Sequence, residues 1–197
     1  MAFLIIISAF AAINFHLFQD EYQVGDVAAD FSLKNIDGEM VSLADRTDAK
    51  GFIVVFTCNT CPFAQANEKR ILALDAKFDT KGYPVIAINP NDPEVKAGES
   101  LAAMQAIAKE HGYTFPYLAD DHQEVFPEFG AKKTPTVFVL QKQNDELIVK
   151  YKGAIDDSAR DESAVDKRFV EDAVEALLAG KTIKTNNTKA IGCAIKA

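Results

Sequence analysis

Tryptophan is absent from the 197 residues, and cysteine occurs only at Cys58, Cys61 and Cys193. Three cysteines are too few for a disulfide scaffold, and a chain of this length builds a core that needs no such staple. An excess of positive charge is missing too: 21 Lys and Arg stand against 29 Asp and Glu, a formal net charge of −8. Such a surface has no electrostatic footprint for nucleic acid or anionic lipid, so no nucleic-acid partner is expected. Long hydrophobic runs are lacking as well. The longest, Ala2–Ile13, is apolar apart from Ser8; as a helix it spans about 18 Å, short of a bilayer core of roughly 30 Å. No stable membrane span is expected.

What remains is ordinary for a globular protein: 48% apolar and 25% charged residues, with 14 Phe for the core. Residues 1–18 read as the apolar part of a secretory leader, with Ala9-Phe10-Ala11 as a small-residue cleavage point, although no Lys or Arg precedes the run. The expected organisation is a hydrophobic N-terminal segment, 1–18, followed by one α/β domain, 19–197. An exported protein, periplasmic or otherwise extracytoplasmic, is the expected localisation, with the cytoplasm as the alternative.

Hydrophobic patterning orders the body of the chain. Phe31–Leu33 and Met40–Leu43 flank an Asp37-Gly38 turn and predict a hairpin. Gly51–Phe56 and Val85–Ile88 are continuous apolar runs, as expected of strands buried on both faces. A helix is predicted between them to about Phe78, with Ile71, Leu74 and Phe78 on its inner face. Further helices are expected over Ser100–His111, closed by Gly112, over Gln123–Phe129, and over Ser163–Leu178. Phe115–Leu118 reads as a strand, and Thr136–Leu140 and Leu147–Tyr151 as a second hairpin around Gln143-Asn144-Asp145. Alternation of buried strands with helices implies parallel pairing through right-handed crossovers and a mixed central sheet with helices on both faces.

Chemistry concentrates at Cys58-Asn59-Thr60-Cys61-Pro62, between a buried strand and a helix start. A thiol there meets unpaired backbone N–H groups and the positive end of the helix dipole, so the Cys58 pKa is expected to fall below about 8.5. Two cysteines in one turn close a small disulfide ring without distant chain movement. Cys58, the outer sulfur, is the expected nucleophile, and Cys61 is expected to resolve the mixed disulfide. Pro62 suits the first helical turn, where its missing N–H costs little. Thr134-Pro135, just before a strand, is the second element of interest.

These segments resemble the thioredoxin superfamily, specifically its peroxiredoxin-like (AhpC/TSA-type) redoxin group with a CxxCP motif. The resemblance runs from about Val24 to Lys196. It is carried by Val24–Leu33, Phe56–Phe63, Phe115–Asp120, Tyr151–Asp157 and Ile191–Lys196. It implies a thioredoxin fold with an N-terminal β-hairpin extension, a cis Pro135, and a substrate-facing edge at Thr134 and Pro135. Thiol–disulfide exchange of an antioxidant type is the implied activity, with protein or small-molecule disulfides, thiols or hydroperoxides as substrates and a thiol protein as electron donor. No cofactor is expected. Cys193 is either an unpaired tail thiol or an additional redox partner.

Departures from the family pattern sharpen the activity. The peroxidase motif Pro-x-x-x-Thr/Ser-x-x-Cys is met by neither cysteine: Val55 stands three residues before Cys58, and Cys58 three before Cys61. Thiol-dependent peroxidase activity is therefore the alternative rather than the first reading. Thr57 replaces the Trp of thioredoxins and Val55 their buried Asp, while Asn59 and Thr60 leave no His to favour a strongly oxidising poise. A copper-binding or metal-delivery module, using Cys58, Cys61 and a distant His, is a further alternative; a zinc site would have only Cys193, His16, His111 and His122 as remaining ligands. His111 reads as a helix C-cap, His122 as part of a solvated helix start, and Asp156-Asp157 as surface carboxylates.

Overall fold

The computed structural model describes residues 21–197, so the expected leader, 1–18, lies outside them. In chain order the elements are β1 (Val27–Ala28), β2 (Ser32–Asn35), β3 (Met40–Ser42), β4 (Gly51–Phe56), α1 (Pro62–Phe78), β5 (Val85–Asn89), α2 (Leu101–His111), β6 (Tyr117–Ala119), α3 (Val125–Phe129), β7 (Lys133–Thr134), β8 (Thr136–Gln143), β9 (Glu146–Gly153), α4 (Phe169–Leu178) and β10 (Cys193–Ala194). The main sheet runs β1-β9-β8-β4-β5-β6-β2-β3. Strands β4, β5 and β6 are parallel, and β8 joins β4 antiparallel. This is the mixed α/β sheet of a thioredoxin fold, with the β2–β3 hairpin added at one edge.

Strand alternation divides the core. Ile53 and Val55 of β4 face one side with Ile71, Leu74 and Phe78 of α1, Met104 of α2, and Val170 and Val174 of α4. Phe52, Val54 and Phe56 face the other side with Phe129 of α3. A strand covered on both faces must be apolar at every position, which is why β4 and β5 are unbroken hydrophobic runs. The helices do lie on both faces, three on one and α3 on the other.

Turn and cap residues act where the sequence places them. Ser100 Oγ accepts from Ala103 N at 3.3 Å to start α2, and Gly112 closes it at φ 68°. Asn144 and Asp145, both at positive φ, make the β8–β9 turn.

Three expectations are corrected. The last helix begins at Phe169 and not Ser163: Glu162–Ala164 form a separate 3-10 turn, and the Asp157 carboxylate then accepts from Asp166 N and Lys167 N ahead of the helix. Helix α3 starts at Val125, where Asp120 accepts from the N–H groups of Glu124, Val125 and Phe126. Asp156 is no surface carboxylate: it pairs with Arg70 at 2.9 Å, and both side chains are 3% exposed. Asp157 is exposed, as expected.

Candidate active site

Helix α1 begins at Pro62, with Cys61 as its N-cap and Cys58 in the turn that leaves β4. Proline fits at the first helical position because the N–H it lacks has no intrahelical partner there. Both sulfurs converge on one residue. Cys58 Sγ and Thr134 Oγ1 share a hydrogen bond of 3.0 Å, and the Cys61 thiol donates to Thr134 O at 3.3 Å. The Thr134–Pro135 peptide is cis, as the resemblance implied. Beyond Thr134 lies β10, whose Cys193 is the antiparallel partner of Thr134. Cys193 packs against the cluster of Cys58, Cys61 and Ala64. Cys193, far from Cys58 and Cys61 in sequence, is thus their neighbour, and all three are free thiols.

The residues between the cysteines are held by Glu99, which is 2% exposed. Its carboxylate accepts from Asn59 N at 2.8 Å, Thr60 N at 3.0 Å, Thr60 Oγ1 at 2.5 Å and Asn89 Nδ2 at 3.0 Å. The Asn59 side chain donates to Gly98 O at 2.9 Å and accepts from the Tyr117 hydroxyl at 2.9 Å. A buried carboxylate is tolerable when such donors replace its water. Sequence reading missed Glu99, Tyr117 and this clasp entirely. The one local hint is an acidic residue just before the α2 N-cap, which carries no sign of its distant partners.

Electrostatics reverse the expected order of the two thiols. Burial pushes Cys58 up to about 11; the Thr134 hydroxyl pulls it down, and the negative charge of Glu99 raises it further. Cys61 is lowered instead. Burial works against its ionisation, but the Cys193 thiol and the N–H groups of Ala64, Cys193 and Phe63 favour the thiolate and outweigh it. The physical reason is one of place: Cys61, not Cys58, is the N-cap, so Cys61 meets the free N–H groups of the first turn. Cys193 is raised, by burial and by its bond to Cys61.

The other singled-out residues lie apart. His111 ends α2, and its Nδ1 is 2.7 Å from Glu68 Oε2; His122 is exposed. Among the described residues, no three His, Cys, Asp or Glu side chains converge as metal ligands. A cleft of about 260 Å³ opens beside Pro135, lined also by Ile155, Ala159, Phe169 and Ile191.

The AhpC/TSA family model matches residues 24–152. Thiol-disulfide oxidoreductase ResA of Oceanobacillus iheyensis is 30% identical over 138 residues, covering 68% of this chain and 67% of that protein. A conserved protein of Geobacillus kaustophilus has a solved structure that is 33% identical, with a TM-score of 0.82 over 90% of this chain and 94% of that one. A protein described as thiol:disulfide interchange protein DsbE, from Chlorobium tepidum, shares the fold at 24% identity and a TM-score of 0.60, covering 79% of this chain and 98% of that one. Because the matched span contains β4, α1 and β8, the elements on which Cys58, Cys61 and Pro135 are set, this chain belongs to the AhpC/TSA family.

Proposed function

We propose that the thiol–disulfide oxidoreductase activity of this chain runs through Cys58 and Cys61, with Thr134 and Pro135 as the substrate-facing edge. The observation that carries this reading is that both sulfurs of one CxxC turn bond to Thr134. Cys61, whose thiolate is favoured, attacks a disulfide presented at that edge, forming a mixed disulfide and releasing one thiolate. Cys58 gives its proton to the released thiolate and attacks the Cys61 sulfur. The substrate leaves as one thiol and one thiolate, which takes from solvent the proton that Cys61 had released to it, and Cys58 and Cys61 end joined. A thiol protein returns the two electrons.

Burial pushes Cys58 up to about 11. The same raised value weakens the peroxidase alternative, which needs a ready thiolate at Cys58. Among the described residues no His joins Cys58 and Cys61 in the ligand set of three that the copper alternative needs. Export remains part of the proposal, resting on the apolar segment Ala2–Ile13; among the described residues no helix is long and apolar enough to cross a membrane. The domain is taken as 19–197.

Redox titration of the full chain, with alkylation trapping and peptide mapping, tests the core of the reading. One two-electron transition linking Cys58 to Cys61 is expected. Failure of that pair to oxidise together would overturn it.

A further inference from the structure

The C-terminal tail lies across the site as a strap. Thr188 N donates to Lys152 O at 3.0 Å, and Thr188 Oγ1 accepts from Ala154 N at 2.9 Å. Gly192 then passes so close to Thr134 that an added Cβ would lie 2.0 Å from its carbonyl oxygen. Strand β10 pairs with β7, setting Cys193 opposite Thr134. Past it, Ile195 N donates to Lys132 O at 3.2 Å and Lys196 N to Asn91 Oδ1 at 2.8 Å, while Lys196 O accepts from Asp92 N at 2.9 Å. This segment lies outside the residues matched by the family model, which end at 152.

The consequence is topological. The edge assigned to substrate is occupied by the chain's own strand. Cys58 and Cys61 beneath it are 5% and 2% exposed, whereas Cys193 is only half-buried. Cys193 lies between the exposed residues Ile191 and Ala194. It also packs against the two inner cysteines. A cysteine held in antiparallel register beside the dithiol occupies the place of a substrate cysteine.

We infer that Cys193 is a third redox thiol, carried by β10 into the substrate position, which meets the external disulfide first and passes it inward to Cys61. The inference rests on the dithiol reading above and extends it outward. Cys193 gives its proton to the Cys61 thiolate and attacks R–S–S–R′. A Cys193–S–S–R bond forms and R′S⁻ leaves, taking the proton from Cys61. Cys61 attacks the Cys193 sulfur, making Cys61–S–S–Cys193 and releasing RS⁻, which takes the proton of Cys58. Cys58 then attacks the Cys61 sulfur and frees Cys193 as thiolate. Two protons and two electrons pass to the substrate, which leaves as RSH and R′SH, and one disulfide, Cys58–Cys61, remains.

The test uses the full chain and two variants, with insulin as the protein disulfide and oxidised glutathione as the small oxidant. In Cys58→Ser, peptide mapping after oxidised glutathione is expected to find Cys61 joined to Cys193. In Cys193→Ser, insulin reduction is expected to fall by at least about tenfold, while oxidised glutathione still joins Cys58 to Cys61. The relay is overturned if Cys61 and Cys193 both stay open to alkylation in Cys58→Ser. It is overturned equally if Cys193→Ser reduces insulin as fast as the parent or faster, which would make the tail a cover. Should Cys193→Ser misfold, the mapping in Cys58→Ser decides alone. A parent chain that never joins Cys58 to Cys61 would instead refute the dithiol reading, and the two failures are seen in different proteins.

Discussion

Glu99 holds Thr60 twice, accepting from its backbone N–H and from its hydroxyl through the same carboxylate oxygen. Through the other oxygen it holds Asn59, so a residue of the β5–α2 connection sets the shape of the turn between the two cysteines. Glu99→Ala is expected to cost about 3 kcal/mol, because it leaves buried donors without partners; urea unfolding measures it. Glu99→Gln removes the charge and keeps much of the shape. The Cys58 pKa should then fall from about 11, followed by thiolate absorbance, and an unchanged value would contradict the assigned influence of Glu99.

Stability should depend on Cys58 at alkaline pH. Its folded value, about 11, lies above the ordinary value of 9.0. Between those values the folded chain holds a proton that the unfolded chain has lost. The contribution is therefore fully present below pH 9 and is lost as pH rises through 11, on the order of 2–3 kcal/mol. Urea unfolding at pH 8 and at about pH 10.5, compared between the parent and Cys58→Ser, checks this. The variant should lose less stability over that span.

The buried pair of Arg70 and Asp156 ties α1 to the loop after β9. Asp156→Ala leaves the guanidinium buried without its counter-charge, and Arg70 Nε and Nη2 already lack partners among the described residues. A loss of about 3–5 kcal/mol is expected. Denaturant unfolding that shifts by less than about 1 kcal/mol would place the pair outside the stabilising core.

Gly192→Ala should lift β10 from Thr134, since the new methyl has no room beside that carbonyl oxygen. Neither backbone atom of the contact is the flexible end of a side chain. Cys61 should then react with maleimide faster by about tenfold or more, a local opening of about 1.4 kcal/mol. Hydrogen exchange of the β7–β10 pair should quicken in parallel. An unaltered alkylation rate would show that the strap is not what shields Cys61.

Local features of the chain were legible residue by residue. The unbroken runs of β4 and β5, the inner face of α1 at Ile71, Leu74 and Phe78, and the Ser100 and Gly112 caps of α2 all form where the pattern puts them. Each depends on neighbours within a few residues, so sequence spacing suffices. Strand β1 and the start of α4 were not legible. The first is a short pairing with β9, and the second is set by Asp157 reaching across a loop to Asp166 and Lys167.

The sequence by itself determined that a dithiol turn follows a buried strand and begins a helix, and that Thr134-Pro135 precedes another buried strand. Only the tertiary structure decided which sulfur ionises and what lies over it. Ionisation follows burial and hydrogen-bond partners, and the partners of Cys58 and Cys61 come from Glu99, Thr134 and Cys193. Those residues reach the turn through long-range pairing of β7 with β10 and through the connection after β5. No local spacing encodes such contacts, because closing each depends on the whole sheet being in place.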